Sequence, residues 1–376
     1  MSDSAILIVG AGAMGGTIGA HLVRSGHDVA FVDRAADHVA RMRAAGLAVT
    51  GPLAQFAVPV KASIPEELEG LYSRVLLCVK AQDTEAATSM LAPHLAPDGF
   101  VVSVQNGLNE YAISAMIGAE RTVGCFVNFG ADYLSPGVIH YAGHGAVVVG
   151  EIDGRMTERV RALHGLFLTF DERARLTDNI WGFLWSKEAY GALLFATALT
   201  NESIADCLAL PRYQKLFIAL AREVMRVAAA KRIRCEAFDG FQPKAFAADG
   251  ADQQAADSLA QLVMHNRRSA KSHSGIWRDL AVRKRRTEVD AQLGVVVQEA
   301  KSCGIEAPLT ERLIELIHEI ENGARPQGID SLEALAEAVN QMNKPAIIVH
   351  GGAAWNPGQL PGRAPLSRIT TSRGGM

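Results

Sequence analysis

The chain has 376 residues, too many for one ordinary hydrophobic core, and roughly 150 residues per domain predicts two. Lys and Arg number 37 against 40 Asp and Glu, a net charge of −3 that argues against a nucleic-acid or anionic-membrane partner and leaves a small molecule. Cys78, Cys125, Cys207, Cys235 and Cys303 are odd in number and widely spaced with no C-x-x-C pair, which argues against a disulfide framework and a zinc site; they read as reduced thiols in a cytoplasm. The histidines lack ligand spacing, so no metal is expected. The first predicted elements are the apolar run Ile6-Leu7-Ile8-Val9, a glycine turn from Gly10 to Gly16 and a helix over 17–23. A buried strand entering a tight turn and leaving as a helix is the context in which G-x-G-x-x-G binds a dinucleotide. Gly10 permits the turn, Gly12 admits the pyrophosphate, and Gly15 lets helix and strand close up. Ala13 and Met14 complete the loop at the helix N-terminus, where backbone N–H groups face the anion.

Residues 28–32 read as a second parallel strand, followed by a helix through Val39 and Met42 that stops at Gly46. Apolar runs at 75–79 and 100–104, separated by a helix from about Thr84 to Leu95, extend a sheet covered on both faces. Shorter strand-like segments follow at 122–129, 138–141 and 146–149, and from Asn179 the spacing turns helical over 179–199, 212–232, 252–270 and 286–303. The expected architecture is α/β: a Rossmann-type dinucleotide-binding domain over 1–177, an all-helical substrate and dimerisation domain over 178–343, and a Gly/Pro-rich tail over 344–376. Apolar surface on the long helices suggests a homodimer. No apolar run is long enough to span a membrane.

The second strand ends in Asp33-Arg34, which make opposite predictions. An acidic side chain about 20 residues past the glycine turn accepts hydrogen bonds from the adenine ribose and repels a 2′-phosphate, favouring NAD. Arg34 can neutralise that phosphate, which keeps NADP open, or can be a solvated residue at a helix start. Repulsion between buried like charges tips the balance slightly to NAD.

Val79-Lys80, Gln105-Asn106-Gly107, Trp185-Ser186-Lys187 and Arg286-Thr287-Glu288-Val289-Asp290 stand in an order that resembles the ketopantoate reductase family over roughly residues 5–322. The resemblance implies a nucleotide domain joined to a helical domain, an active site in the cleft between them, and reduction of a 2-oxo acid to a 2-hydroxy acid with a nicotinamide cofactor. It implies Lys187 as the lysine that gives a proton to the carbonyl oxygen, a role that suits a cationic donor whose pKa is lowered by partial burial. It further implies that Glu288 contacts cofactor and substrate hydroxyls, that Asn106 bonds the nicotinamide ribose and orients the lysine, and that Lys80 and Gly130 contact the cofactor.

The chain departs from the family on the helix of Lys187. At i+4 and i+8, where the family carries substrate-holding asparagines, stand Gly191 and Phe195, which puts pantoate synthesis in doubt. Before Glu288 the segment from Lys271 to Asp279 is altered; Ser274 is the best match to the family's substrate serine, and His273, Ser274 and Arg278 suggest a pocket for a carboxylate or extra hydroxyls. The plainer reading of that segment is a helix terminus with a surface ion pair Arg278/Asp279, and that of Arg283-Lys284-Arg285-Arg286 a solvated helix face. Two other functions stay open: a dehydrogenase of a bulkier or sugar-derived hydroxy compound, and a nucleotide-binding sensor without catalysis.

Overall fold

All four residues of Ile6–Val9 are buried, as expected of a strand covered on both faces. The computed structural model describes residues 5–269 and 271–342; the expected tail over 344–376 lies outside them. In chain order the first half runs β1 (Ile6–Val9), α1 (Ala13–Arg24), β2 (Val29–Val32), α2 (Ala36–Ala45), β3 (Leu47–Thr50), β4 (Phe56–Val58) and β5 (Lys61–Ser63). It continues with β6 (Tyr72–Leu77), α3 (Thr84–Leu91), β7 (Leu95–Ser103), α4 (Glu110–Ile117) and β8 (Thr122–Val127). Then come β9 (Gly130–Ser135), β10 (Val138–Gly143), β11 (Val147–Glu151), α5 (Glu158–Leu168) and β12 (Arg175–Leu176).

Eight strands form one sheet in the order β12-β11-β8-β7-β6-β1-β2-β5. From β5 to β8 all neighbours are parallel, while β11 joins antiparallel to β8. Strand order reverses at β1, where the chain goes first to β2 and later crosses to β6. The crevice at the carboxyl ends of β1 and β6 is therefore where a doubly wound sheet holds its ligand. This is the Rossmann arrangement expected from the sequence.

The second sheet was not foreseen. Strands β4, β3, β10 and β9 form it in that order and lie against α1. The predicted strand at 138–141 belongs here, extended to Gly143, and the predicted strand 122–129 stops at Val127 because β9 turns into this second layer. Gly16 explains the close fit: a Cβ there would lie 2.9 Å from Ile139 Cγ1. The predicted helix over 84–95 ends at Leu91, since Pro93 cannot continue it, and Leu95 already starts β7.

The second half is helical as expected. Its elements are α6 (Ile180–Thr197), α7 (Ile204–Leu208), α8 (Gln214–Ala230), α9 (Asp252–Arg267), α10 (Gly275–Ala281), α11 (Val295–Ser302), α12 (Pro308–Glu321) and α13 (Ile329–Met342). Helix α6 is apolar on nearly every side and is wrapped by α8, α12 and α10, so it is the buried axis of this half. The predicted helix over 286–303 starts only at Val289, so the basic run before it is not on a helix, and it opens with a π-helical turn at Asp290–Gly294. Such turns rotate the following side chains and recur at functional sites.

Candidate active site

One cleft of about 1300 Å³ runs from the glycine turn to α6 and is lined by both halves of the chain. At its sheet end Gly10 takes φ +94°, and a Cβ on Gly15 would lie 2.1 Å from the Gly10 carbonyl oxygen. The space beside Gly12 is open, with no protein atom within 4 Å of where a Cβ would stand. Helix α1 has Gly12 as its N-cap, with no side-chain cap and no acid in its first turn, leaving its N–H groups for an anion. Ala13 and Met14 line the same wall. This cradle fits a dinucleotide pyrophosphate.

Asp33, at the end of β2, takes the Ala11 N–H on Oδ2 at 2.8 Å and the Ala35 N–H on Oδ1 at 2.9 Å. These bonds fix its carboxylate at the cleft wall. Arg34 is 77 % exposed and pairs with Asp83 at 2.9 Å. His38 was missed by sequence reading, where a lone histidine on an amphipathic helix carries no signal. It is buried; its Nδ1 accepts the Gly137 N–H at 2.9 Å, so Nε2 carries the proton and donates to the Ala11 carbonyl at 3.0 Å. His38 thus ties the glycine turn to the second sheet.

Lys187 projects from α6 into the middle of the cleft. Its ammonium donates to Asn106 Oδ1 at 2.7 Å and to the Val127 carbonyl, and stands 5.3 Å from the Phe126 ring centre. An ammonium has three donors, so one remains for a ligand. Burial lowers its pKa to about 8, against the opposing pull of neighbouring carboxylates, Glu188 first. Lys187 and Glu188 are the two charged residues of an 18-residue helix. That isolation was visible in the sequence, yet Glu188 went unremarked. Its side chain is buried, Oε2 has no hydrogen-bond partner among the described residues, and burial raises its pKa to about 7.

Lys80 lies just past β6 and bonds Glu288 Oε2 at 2.8 Å and Asp279 Oδ2 at 3.0 Å, while Glu288 Oε1 accepts the Ala81 N–H at 2.8 Å. Burial alone would lower the Lys80 pKa, but the Glu288 and Asp279 carboxylates prevail and hold it above the ordinary value. Glu288, Lys80, Asn106, Gly130 and Lys187 all line the one cleft. Behind them Gln105 donates to the Val79 carbonyl at 3.0 Å and to Thr84 at 2.8 Å, fixing the loop that carries Asn106.

Three expectations need correction. Phe195 is fully buried in the helical core and does not line the cleft. Eight residues advance a helix by 800°, or 80° off the face of Lys187, whereas seven return within about 20°. Leu194 therefore occupies the place below Gly191 on the cleft wall. Arg278 is not a free carboxylate clamp: its guanidinium pairs with Asp132, across the cleft on β9, and it is absent from the lining. Asp279 is not a surface partner of Arg278 but a buried hub bonded to Lys80, Arg283 and Arg285. Two cations of the run expected to be solvated are thereby drawn into the site. Ser274 lines the cleft while capping α10, its Oγ accepting the Trp277 N–H at 3.1 Å.

Residues 6–154 match the family model described as ketopantoate reductase PanE/ApbA, and residues 179–321 match that of its C-terminal domain. The chain belongs to the ketopantoate reductase family. It is 28% identical over 318 residues to the 2-dehydropantoate 2-reductase of Archaeoglobus fulgidus, an alignment spanning 85% of this chain and 98% of that protein. Among solved structures it is similar to the 2-dehydropantoate 2-reductase of Geobacter metallireducens, with a TM-score of 0.71 and 27% identity over 85% of this chain and all of that one. D-mandelate dehydrogenase, solved with NADH and anilino(oxo)acetate, has the same fold at a TM-score of 0.72 and 22% identity, covering 85% and 98% of the two chains. This family member is accordingly an NAD(P)-dependent oxidoreductase acting between a carbonyl and a hydroxyl. Among the described residues no helix is long and apolar enough to cross a membrane.

Proposed function

We propose that the chain interconverts a 2-oxo acid and its 2-hydroxy acid, with Lys187 as the acid that protonates the carbonyl oxygen. The observation that carries this reading is the Lys187 ammonium, half-buried in the cleft that the glycine turn opens into, with two donors engaged by Asn106 and Val127. A bound nicotinamide supplies the hydride. Lys187 faces the oxygen on which negative charge develops, and its remaining N–H both stabilises that charge and delivers the proton. Asn106 holds the ammonium in place. Because lysine is donor-only, the Asn106 carbonyl must face it, which leaves the amide NH₂ to donate elsewhere in the cleft.

Gly10, Gly12, Ala13, Met14 and Gly15 would hold the pyrophosphate, and Lys80, Gly130 and Glu288 would contact the cofactor farther along the cleft. Residues 1–177 would form the nucleotide domain and 178–343 the substrate domain. Asp33 supports a preference for NAD, since its fixed carboxylate meets the ribose where NADP carries a phosphate. Purified protein titrated with NADH and NADPH by nicotinamide fluorescence, then assayed with 2-oxo acids, tests the whole reading. Nucleotide binding without turnover of any 2-oxo acid would shift the assignment to a sensor. In the same titration Asp33→Ser is expected to raise affinity for NADPH relative to NADH by about tenfold or more, because a like charge beside the phosphate is gone. An unchanged ratio would remove the basis for the NAD preference.

A further inference from the structure

Beyond Lys187 the cleft wall carries a run of apolar side chains beside the Gln292 amide. Gly191 leaves a gap on α6, where a Cβ would meet nothing nearer than Gln292 Oε1 at 3.9 Å. Leu194, Ile204 and Ile276 continue that wall, and Tyr190, one turn away, has its hydroxyl engaged with Asn266 at 3.0 Å. Against Leu194, Ile204 and Ile276 a substrate hydroxyl would lose water with no partner in return, whereas an apolar group of some size would fill the gap favourably.

A cation stands at the edge of this wall. The Ile204 N–H donates to the Ser272 carbonyl at 2.9 Å, which ties the segment carrying Lys271 to the apolar surface. Lys271 lines the cleft with its side chain 22 % exposed, and its ammonium lies 3.6 Å from Asp132 Oδ1, beyond hydrogen-bond length. That same oxygen already holds the Arg278 guanidinium. Two cations share one carboxylate, so a positive charge is left over facing the cleft. Burial, reinforced by Arg278 as a like charge, lowers the Lys271 pKa despite the pull of Asp132. An arriving carboxylate would relieve that imbalance.

We propose that the substrate is a 2-oxo acid whose keto carbon carries a branched alkyl or aryl group without a hydroxyl, its carboxylate held by Lys271 and its apolar group seated against Leu194, Ile204 and Ile276 in the gap left by Gly191. This rests on the 2-oxo acid reading above and narrows it. Among 4-methyl-2-oxopentanoate, phenylglyoxylate and ketopantoate, one of the first two is expected to show a kcat/KM at least about tenfold above the third. Lys271→Met is expected to raise KM for the favoured acid by about 100-fold, with kcat and the Kd for NADH within about threefold, and Lys271→Arg to recover most of the loss. Gly191→Asn, which fills the gap with an amide, is expected to lower kcat/KM for the favoured acid by about tenfold or more.

A preference for ketopantoate would overturn the proposal while leaving the 2-oxo acid reading intact. So would a Lys271→Met protein with unchanged KM, or one in which only NADH binding weakens, which would place the ammonium on the nucleotide phosphates instead. Retained NADH fluorescence shows that the variant is folded; a Lys271→Met protein that fails to fold hands the question to Lys271→Gln and Gly191→Asn, and a normal KM in the first with a normal kcat/KM in the second would equally overturn it. Turnover of none of the three acids would sink the parent reading and this one together.

Discussion

Replacing Lys187 by Ala is expected to lower kcat for 2-oxo acid reduction by about 10³-fold, while the Kd for the nicotinamide nucleotide stays within about threefold. The separation follows from position. Lys187 sits on α6, in the other half of the chain from the glycine turn, and its bonds go to Asn106 and Val127 rather than to Gly10–Gly15. Its loss removes a donor that matters most when negative charge develops on the carbonyl oxygen, so the effect falls on the transition state. Folding should survive, because a half-buried ammonium carries a desolvation cost that Ala does not. Steady-state kinetics with a fluorescence titration of the same protein checks both arms. A kcat within tenfold of the parent would rule out Lys187 as the proton donor.

The lowered pKa adds a second signature. In reduction the ammonium must be protonated, so kcat/KM should be level below about pH 8 and fall above it. In oxidation the neutral amine is the competent base, so the rate should rise through the same range. Glu188 works in the opposite sense: as it ionises, its charge pulls the lysine pKa up. Glu188→Gln should therefore move the fall to lower pH without abolishing turnover. A profile unmoved by that substitution would show that the two groups do not interact.

The strand, turn and helix at the N-terminus were legible because each step has a local cause: a run of apolar residues, glycines where side chains cannot fit, and helical spacing. The order of the main sheet follows from right-handed parallel crossovers, which the alternation of strand and helix already implied. Lys187 was legible as a lone cation in an apolar helix, while Glu188 beside it was passed over. The second sheet was not legible, since β3 and β4 are only four and three residues long and β9 buries only one of its six residues, and all lie against α1. Nor were the partners of Arg278 and Asp279 legible. Adjacent in sequence, they point to different places, one to Asp132 on β9 and the other to Lys80 after β6. Only the tertiary fold brings together groups roughly 150 and 200 positions apart, and Lys271 owes its leftover charge to the same arrangement.

Gly12→Ala and Gly15→Ala are expected to fail in different ways, although both remove a glycine from one motif. A Cβ on Gly15 would lie 2.1 Å from the Gly10 carbonyl oxygen and 2.8 Å from Cys78 Cβ. The first contact is with backbone, so α1 must move off β1, and overpacking of this kind costs on the order of 1–3 kcal/mol or more. Gly15→Ala should lower Tm by several degrees and weaken nucleotide binding together. A Cβ on Gly12 meets no protein atom within 4 Å and its φ of −69° is open to alanine, so the loss is confined to a slightly poorer N-cap and Tm should fall by no more than about a degree or two. Yet that methyl would stand where the open cradle admits a pyrophosphate, and the Kd for NADH should rise about 100-fold. Thermal melts and fluorescence titrations of the two proteins separate the cases. Unchanged NADH binding in a well-folded Gly12→Ala protein would mean that the dinucleotide does not lie against the turn at all, and the hydride chemistry assigned to the cleft would then need another source.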